Sequence, residues 1–217
     1  PGETFKPFRP PPASGLCMHP RGDFAKLLHA QARSWRRPEW FERFTWDAAT
    51  AIGDTPHWGR WRHGIGVDVN RADLFAETAD LIAHRLAAYG KSSDRFGLVH
   101  CDLRLANILV DGDIVKVIDF DDSGFSWFMY DAATPVSFYE HLPQTPELIR
   151  HWIEGYRRVA DLSQDDLNEI ATFVMLRRLL LVAWIGSHSE TDLARSMGLD
   201  YTGQTDDLCR TYLKDMG

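Results

Sequence analysis

Two linked stretches decide the fold: Leu98-Val-His-Cys-Asp-Leu-Arg-Leu-Ala-Asn-Ile-Leu-Val110 and, a few residues later, Val117-Ile-Asp-Phe-Asp-Asp122. Short apolar runs at 107–110 and 114–120 flank the turn residues Asp111-Gly112-Asp113. An Asp-Gly pair between two such runs predicts a β-hairpin. The hairpin turn should bring Asn107, at the start of its first strand, close to Asp119, at the end of its second.

Polar side chains cluster around this predicted hairpin. The first stretch contains the pattern His-x-Asp-Leu-x-x-x-Asn, with His100, Asp102 and Asn107 at its polar positions. Asp102 can accept the proton of a hydroxyl group and orient its oxygen. The amide oxygen of Asn107 and the carboxylate of Asp119 are hard ligands suited to Mg²⁺. In-line phosphoryl transfer needs this combination of an aimed oxygen and neutralised phosphates, so the pattern predicts a site for ATP and Mg²⁺.

Composition and charge exclude several other classes of protein. The 217 residues are 44% hydrophobic and 25% charged, as in ordinary globular domains. The formal net charge of −7 argues against a nucleic-acid-binding surface. Three widely spaced cysteines, Cys17, Cys101 and Cys209, predict neither a disulfide framework nor a zinc site and favour a reducing, cytoplasmic location.

The chain divides into a short linker and one larger domain. Residues 1–16 are rich in proline and predict a linker or hinge, which leaves 17–217 as the folded domain. Helical patterns are expected at 23–35, 72–89, 146–160, 164–187 and 204–215. The most apolar stretch, 173–186, is short for a bilayer and is interrupted by Arg177 and Arg178, which indicates a buried core helix. The fold class expected is α+β and mostly helical, with a small β-hairpin.

Further short motifs add a resemblance to a known family. Together with Tyr130-Asp131-Ala132 and Gly155-Tyr156-Arg157, the two stretches resemble the aminoglycoside phosphotransferase and homoserine/choline kinase superfamily, which shares the protein-kinase fold. The resemblance covers most of the chain from about residue 15 and implies the C-terminal lobe of a kinase.

The resemblance also implies roles for individual residues. Asp102 is the catalytic base, and Asn107 and Asp119 are the magnesium ligands. Leu109 and Ile118 would form the lower face of the adenine pocket, and Asp131 would support the catalytic loop. Independently of the resemblance, His100 is expected to hold this loop through hydrogen bonds rather than to act in catalysis.

Two departures from protein kinases leave alternatives open. Arg104 stands where those enzymes usually have lysine, and it either contacts the transferring phosphate or forms a salt bridge. Asp121 replaces the glycine of Asp-Phe-Gly. Asp121 and Asp122 either bind a second metal or a cationic substrate, or they cap backbone N–H groups of their loop.

The N-terminal β-lobe of a complete kinase is not recognisable before residue 97. Neither a Gly-x-Gly-x-x-Gly loop nor a strand lysine occurs there, and Gly64-Ile-Gly66 is only a fragment of such a loop. Three explanations are open: this sequence is a piece of a longer protein, the N-terminal lobe comes from another chain, or catalysis has been lost. The start at Pro1 rather than methionine favours the first, and we expect the missing N-terminal lobe to be a partner of this chain. The isolated chain is expected to bind Mg-ATP weakly and to turn over poorly.

Five of the eight tryptophans lie between residues 35 and 61, interleaved with arginines. The simpler interpretation is that this segment anchors its rings on the helical lobe. Alternatively, Trp58 and Trp61 form a substrate wall, because indole faces attract ammonium groups.

The function expected is transfer of the ATP γ-phosphate to a hydroxyl group of a small, amine-bearing molecule, with no nucleic-acid or membrane partner. Three alternatives remain: a non-catalytic, pseudokinase-like nucleotide-binding lobe, a protein serine/threonine kinase, and a phosphohydrolase using the carboxylates of Asp102, Asp119, Asp121 and Asp122. The sequence does not identify the acceptor.

Overall fold

The computed structural model describes residues 19–111 and 114–217. The predicted linker at 1–16, Cys17, and Gly112 and Asp113 of the predicted turn lie outside the described residues. The helices are α1 (His19–Ser34), α2 (Ala48–Ala51), α3 (Val69–Tyr89), α4 (Tyr130–Ala133), α5 (Thr145–Arg157), α6 (Gln164–Ser187) and α7 (Asp192–Met216). The strands are β1 (Phe96–Val99), β2 (Ile108–Asp111), β3 (Ile114–Val117) and β4 (Gly124–Trp127). The mostly helical α+β class is confirmed.

Helix ends follow local capping signals. The Asp68 side chain accepts a hydrogen bond at the start of α3, and Gly90, with φ of 79°, ends that helix. Ser163 and Asp166 form a capping box at the start of α6. The prediction of a last helix at 204–215 was too short, because α7 begins at Asp192 and is broken at Gly198, where φ is 44°. Glycine adopts this left-handed φ without the strain a Cβ brings.

Helix α6 is the centre of the core. It packs against α3, α4 and α7, and nearly all of its residues from 170 to 185 are buried. By length and composition it could cross a membrane, but 72% of its most apolar window is buried inside the fold. The prediction of a buried core helix is therefore confirmed.

Two small antiparallel sheets support the loops between them. Strands β2 and β3 form the predicted hairpin, with Ile108 opposite Val117. Strand β1 pairs with β4, with Val99 opposite Gly124, and the sequence analysis did not predict β4. A Cβ on Gly124 would lie 2.5 Å from the Phe44 carbonyl oxygen, so the neighbouring backbone leaves no room for one. A short strand that begins with glycine carries little strand signal.

The tryptophan-rich segment mostly packs on the helical body, as the simpler interpretation predicted. Trp46 and Trp61 are buried, and the Trp61 indole N–H donates to the Ile52 carbonyl at 3.0 Å. With only 2% of its surface exposed, Trp61 does not line a substrate wall, and that alternative was wrong for this residue. Trp40, at 78%, and Trp35, at 36%, are the exposed exceptions among these rings.

The two described cysteines, Cys101 and Cys209, are buried and form no disulfide. Burial raises the pKa of the Cys209 thiol to about 11 and that of Cys101 well above its ordinary value. Both thiols are therefore uncharged small apolar groups of the core at neutral pH.

Candidate active site

One buried carboxylate anchors the loop that follows β1, residues 100–107, which the resemblance identifies as the catalytic loop. The Asp131 side chain accepts hydrogen bonds from the backbone N–H groups of His100 at 3.1 Å and Cys101 at 2.9 Å. Cys101 has a left-handed φ of 67°, which turns the chain sharply into Asp102. The Leu103 N–H donates to the Thr134 hydroxyl at 3.0 Å. The structure thus places Asp131 against the backbone of the loop, where a supporting residue would lie.

Asp131 is itself part of a buried network that the sequence did not reveal. His29 Nε2 lies 3.0 Å from an Asp131 oxygen, and His29 Nδ1 lies 3.1 Å from the Tyr156 hydroxyl. Burial lowers the pKa of His29, although the hydrogen bond to Asp131 opposes this effect. A neutral imidazole that donates from Nε2 fits both contacts.

His100 connects the catalytic loop with the segment after β3. Its Nδ1 accepts the Asp102 backbone N–H at 3.2 Å, so Nε2 carries the proton and donates to the Ile118 carbonyl at 3.2 Å. The ring also packs at 4.6 Å from that of Phe120. These contacts place His100 between the two halves of the motif rather than towards Asp102's carboxylate.

The carboxylate of Asp102 is buried and bonded on both oxygens. Arg104 Nε lies 2.9 Å from each oxygen, and the Asn107 amide nitrogen donates to Oδ2 at 2.8 Å. Arg177 of α6 donates to Oδ1 at 2.5 Å. Of the alternatives for Arg104, the structure displays the salt bridge.

The hairpin brings Asn107 and Asp119 together as its register requires. The Ile118 N–H donates to the Asn107 carbonyl at 3.0 Å, so Asp119 lies one residue beyond Asn107's partner. Asp119 has a left-handed φ of 64°, which aspartate tolerates better than most residues. Because the amide nitrogen of Asn107 bonds Asp102, its oxygen is the atom available to a cation. We call Asp102, Asn107 and Asp119 the polar edge.

The donors of the polar edge fit a magnesium ion that completes its shell with phosphate oxygens. Among the described residues, no three His, Cys, Asp or Glu side chains are grouped closely enough to hold a metal alone. Mg²⁺ commonly takes only one or two protein oxygens and fills the remaining positions with phosphate and water. One carboxylate from Asp119 and one amide oxygen from Asn107 match that requirement.

The loop after Asp119 is fixed through its backbone. Arg43 donates to the carbonyls of Phe120, Asp121 and Ser123 at 2.6 to 2.8 Å, and the Trp46 indole N–H donates to the Asp122 carbonyl at 2.9 Å. Neither Asp121 nor Asp122 caps a backbone N–H within the described part of the chain, so the capping alternative was wrong there. Both carboxylates remain candidates for binding a cation.

Negative charge accumulates at this loop. Burial raises the pKa of the Asp122 carboxyl, and the charges of Asp102 and Asp119 add to the rise, while Arg177 opposes it. These carboxylates therefore feel one another's fields. A cation beside them would relieve the repulsion.

Apolar side chains are exposed next to the polar edge. Leu109 of β2 is 50% exposed and Ile118, just after β3, is 42% exposed. Both therefore remain accessible to a ligand, as members of an adenine floor must be. A cavity of about 580 Å³ lies between α1, β1 and Phe120, but Asp102, Asn107 and Asp119 are not among its lining residues. The position of that cavity is thus distinct from the polar edge.

Three residues with contacts to the site were missed by the sequence analysis: Arg43, Arg177 and His29. Arg43 was noted only as one of several basic residues between tryptophans. A signal for Arg177 did exist, because an arginine inside an apolar helix needs a buried partner. That partner could not be named from sequence.

The comparisons with known proteins agree on one family. The sequence model of the "Phosphotransferase enzyme family" matches residues 3–166. An amicoumacin kinase of Bacillus subtilis (strain 168) is 32% identical over 114 residues, which are 48% of this chain and 34% of that protein.

Solved structures extend the likeness over nearly the whole chain. A microcompartment-associated aminopropanol kinase superposes with a TM-score of 0.88 and 40% identity, covering 94% of this chain and 64% of that one. An amicoumacin kinase solved in complex with AMP-PNP, Ca²⁺ and Ami superposes with a TM-score of 0.68 at 23% identity. The superposition covers 90% of this chain and 58% of that one, and at this identity it supports the fold alone. The chain spans about a third of the length of the curated relative and less than two thirds of these solved chains.

Proposed function

Because the chain belongs to the phosphotransferase enzyme family, we propose that it carries the catalytic lobe of an ATP- and Mg²⁺-dependent kinase acting on a small amine-bearing alcohol. The observation that carries the proposal is the polar edge itself. The buried Asp102 carboxylate bonds the Asn107 amide, and the backbone of Asn107 pairs with that of Ile118, the residue before Asp119, where the loop joins the β2–β3 hairpin.

The residues of the polar edge and the neighbouring Arg104 divide the reaction between them. Asp102 orients the acceptor hydroxyl and takes its proton. The acceptor oxygen forms a bond to the γ-phosphorus, the bond from that phosphorus to the β–γ bridging oxygen breaks, and ADP leaves. Asn107 and Asp119 would hold Mg²⁺, which would neutralise phosphate oxygens. Arg104 turns from Asp102 to the transferring phosphate, since a guanidinium binds phosphate oxygens well.

The nucleotide base lies on the exposed apolar pair. Leu109 lies on β2 and Ile118 directly follows β3, and their exposed apolar side chains offer a purine ring a surface to bury. This floor is formed by the side of the hairpin that the helical body leaves exposed.

An amine on the acceptor is supported by charge and by one relative. The Asp122 carboxylate lies close enough to Asp102 and Asp119 to feel their charges, and Asp121 adds a second carboxylate to the same loop, so a cation is favoured there. The aminopropanol kinase that superposes on 94% of this chain is named for a substrate that carries both an amine and a hydroxyl group. We extend that substrate class to this chain.

The test uses the full-length protein and matched acceptors. ADP release is measured with 1-amino-2-propanol, with ethanolamine, and with 1,2-propanediol, which replaces the amine by a hydroxyl group. We expect turnover with an amino alcohol, a phosphomonoester product by ³¹P NMR, and a kcat/KM lower by about tenfold or more for the diol. Asp102→Asn should reduce kcat by at least about 10³-fold.

Three outcomes would contradict this proposal. Inorganic phosphate released without any acceptor would indicate a phosphohydrolase. Phosphate found only on protein serine or threonine would indicate a protein kinase. Nucleotide binding without any product would indicate a non-catalytic lobe.

A further inference from the structure

Two adjacent arginines occupy the middle of the apolar helix α6. Arg177 and Arg178 are both buried, although arginine is almost never fully buried without partners. Because neighbouring residues of a helix point in different directions, the two guanidinium groups enter different surroundings. Arg178 is bonded to Glu140 at 2.7 Å, to the Thr205 hydroxyl at 2.8 Å and to the Tyr201 carbonyl at 2.6 Å. Arg177 faces the catalytic loop instead.

Three groups besides the Asp102 carboxylate hold the Arg177 guanidinium in place. Its Nε donates to the Ser137 hydroxyl at 3.1 Å, and its Nη1 donates to the Cys101 carbonyl at 3.3 Å and contacts the Tyr130 hydroxyl at 3.4 Å. The remaining nitrogen, Nη2, donates to Asp102 Oδ1 at 2.5 Å. A planar fork held at three other points presents this last N–H in one direction only.

Trp58 covers the same guanidinium. The Arg177 carbon Cζ lies 5.5 Å from the centre of the Trp58 ring, within the range of a cation–π contact. The Trp58 backbone is held in turn by the Ser187 hydroxyl, which donates to its carbonyl at 2.6 Å. Trp58 therefore pairs with a cation of the protein, which accounts for this ring without a substrate ammonium.

Two arginines bond the Asp102 carboxylate. Arg104 is exposed enough to leave it, whereas Arg177 is buried and stays in place. The side chain of Arg104 is 28% exposed and bonds both carboxylate oxygens, whereas that of Arg177 is 3% exposed and bonds Oδ1 alone. A carboxylate offers about four acceptor positions. When Arg104 turns to a phosphate, positions on Asp102 open to the acceptor hydroxyl while Arg177 and Asn107 keep the carboxylate in place.

We propose that Arg177 is a positioning residue that fixes the carboxylate of Asp102 for the incoming hydroxyl group. The inference rests on the proposed kinase function for its catalytic meaning. It predicts that loss of the Arg177 fork misdirects Asp102 without weakening nucleotide binding, because Arg177 has no contact with Asn107, Asp119, Leu109 or Ile118 among its described partners.

The experiment compares Arg177→Lys with Arg178→Lys in the full-length protein. Each substitution keeps a buried positive charge and removes a fork, and Arg178 serves as the control because it bonds Glu140 rather than Asp102. We expect Arg177→Lys to lower kcat by about 10²-fold, with the KM for ATP unchanged. Arg178→Lys should lower thermal stability at least as much and leave kcat near the wild-type value per folded molecule.

Crystal structures of both variants provide a readout that needs no acceptor. The Asp102 side chain should leave its wild-type rotamer in Arg177→Lys and keep it in Arg178→Lys. If neither variant moves Asp102, or if both lower kcat equally, Arg177 is purely structural and the inference falls. If the wild type phosphorylates no alcohol, the kinase proposal fails, and the Asp102 rotamers still decide whether Arg177 positions this carboxylate.

A milder variant covers the case in which Arg177→Lys does not fold. Ser137→Ala removes one acceptor of Arg177 and leaves every charge in place. We expect kcat to fall by several-fold, with the KM for ATP unchanged, since a single hydrogen bond is lost. An unchanged kcat together with an unmoved Asp102 would overturn the inference.

Discussion

The catalytic loop, residues 100–107, and the β2–β3 hairpin border the same polar edge, yet different parts of the molecule hold them. Buried side chains from three helices reach the loop or the carboxylate beneath it: His29 of α1, Asp131 of α4 and Arg177 of α6. The hairpin pairs with itself, and Leu109 and Ile118 remain about half exposed. The position of Asp102 is thus coupled to the stability of the core, whereas Leu109 and Ile118, the proposed adenine floor, can vary at little cost to folding.

Asp131→Ala should give the largest effect, because it removes the buried anchor of the catalytic loop. It leaves two loop N–H groups and His29 without their acceptor, so we expect the free energy of unfolding to fall by about 3–5 kcal/mol. Urea denaturation measures the change. The matched control is Asp121→Ala, at an exposed position, which should stay within about 0.5 kcal/mol of wild type. Equal losses in the two variants would contradict the anchoring role of Asp131.

Leu109→Ala combined with Ile118→Ala tests the exposed hairpin. These side chains already contact water, so the free energy of unfolding should change little, while the purine loses part of its apolar floor. A loss of about 1.4 kcal/mol corresponds to a tenfold higher KM for ATP, which steady-state kinetics of the full-length protein can measure. Val69→Ala, at a 76% exposed position on α3, is the control and should leave the KM unchanged. An unaltered KM in the double variant would exclude this pair as the adenine floor.

The smallest expected effect is a pH dependence of the buried network. Burial lowers the pKa of His29 below its ordinary value of 6.5, with Arg33 and Lys26 adding to the fall and Asp131 opposing it. Below about pH 6.5 the unfolded chain takes up a proton that the folded chain does not. Stability is therefore fully present above that pH and falls as the pH drops towards the folded pKa.

Denaturation at a series of pH values tests this sign. We expect the slope due to His29 to be at most about 1.4 kcal/mol per pH unit. The variant His29→Gln should lose that part of the slope while keeping an amide group near Asp131. If the slope is the same in wild type and variant, another group is responsible for it.

Local patterns were sufficient to predict much of the fold. The catalytic loop, the hairpin and helix α6 follow from residues close together in the chain, such as the 107–120 run and the Ser163 cap. Strand β4 and the break at Gly198 were missed, because a four-residue strand and a single glycine within a polar helix carry weak signals.

Long-range partners could not be predicted in the same way. Arg177 lies 75 residues from Asp102, and His29 lies 102 residues from Asp131. Nothing in a single sequence states which buried arginine meets which carboxylate, because that pairing is decided when the helices pack. The residues of the motif were therefore accessible from sequence, whereas the residues that fix them in place were not.

The two buried thiols make this chain convenient for chemical labelling. Cys101 and Cys209 are at most 1% exposed and their thiols stay protonated at neutral pH, so a maleimide dye should react with them slowly. Once Cys17 is replaced by serine, a single cysteine introduced at Lys116 on β3 would carry the dye alone. Its fluorescence would then follow the hairpin as nucleotide is added.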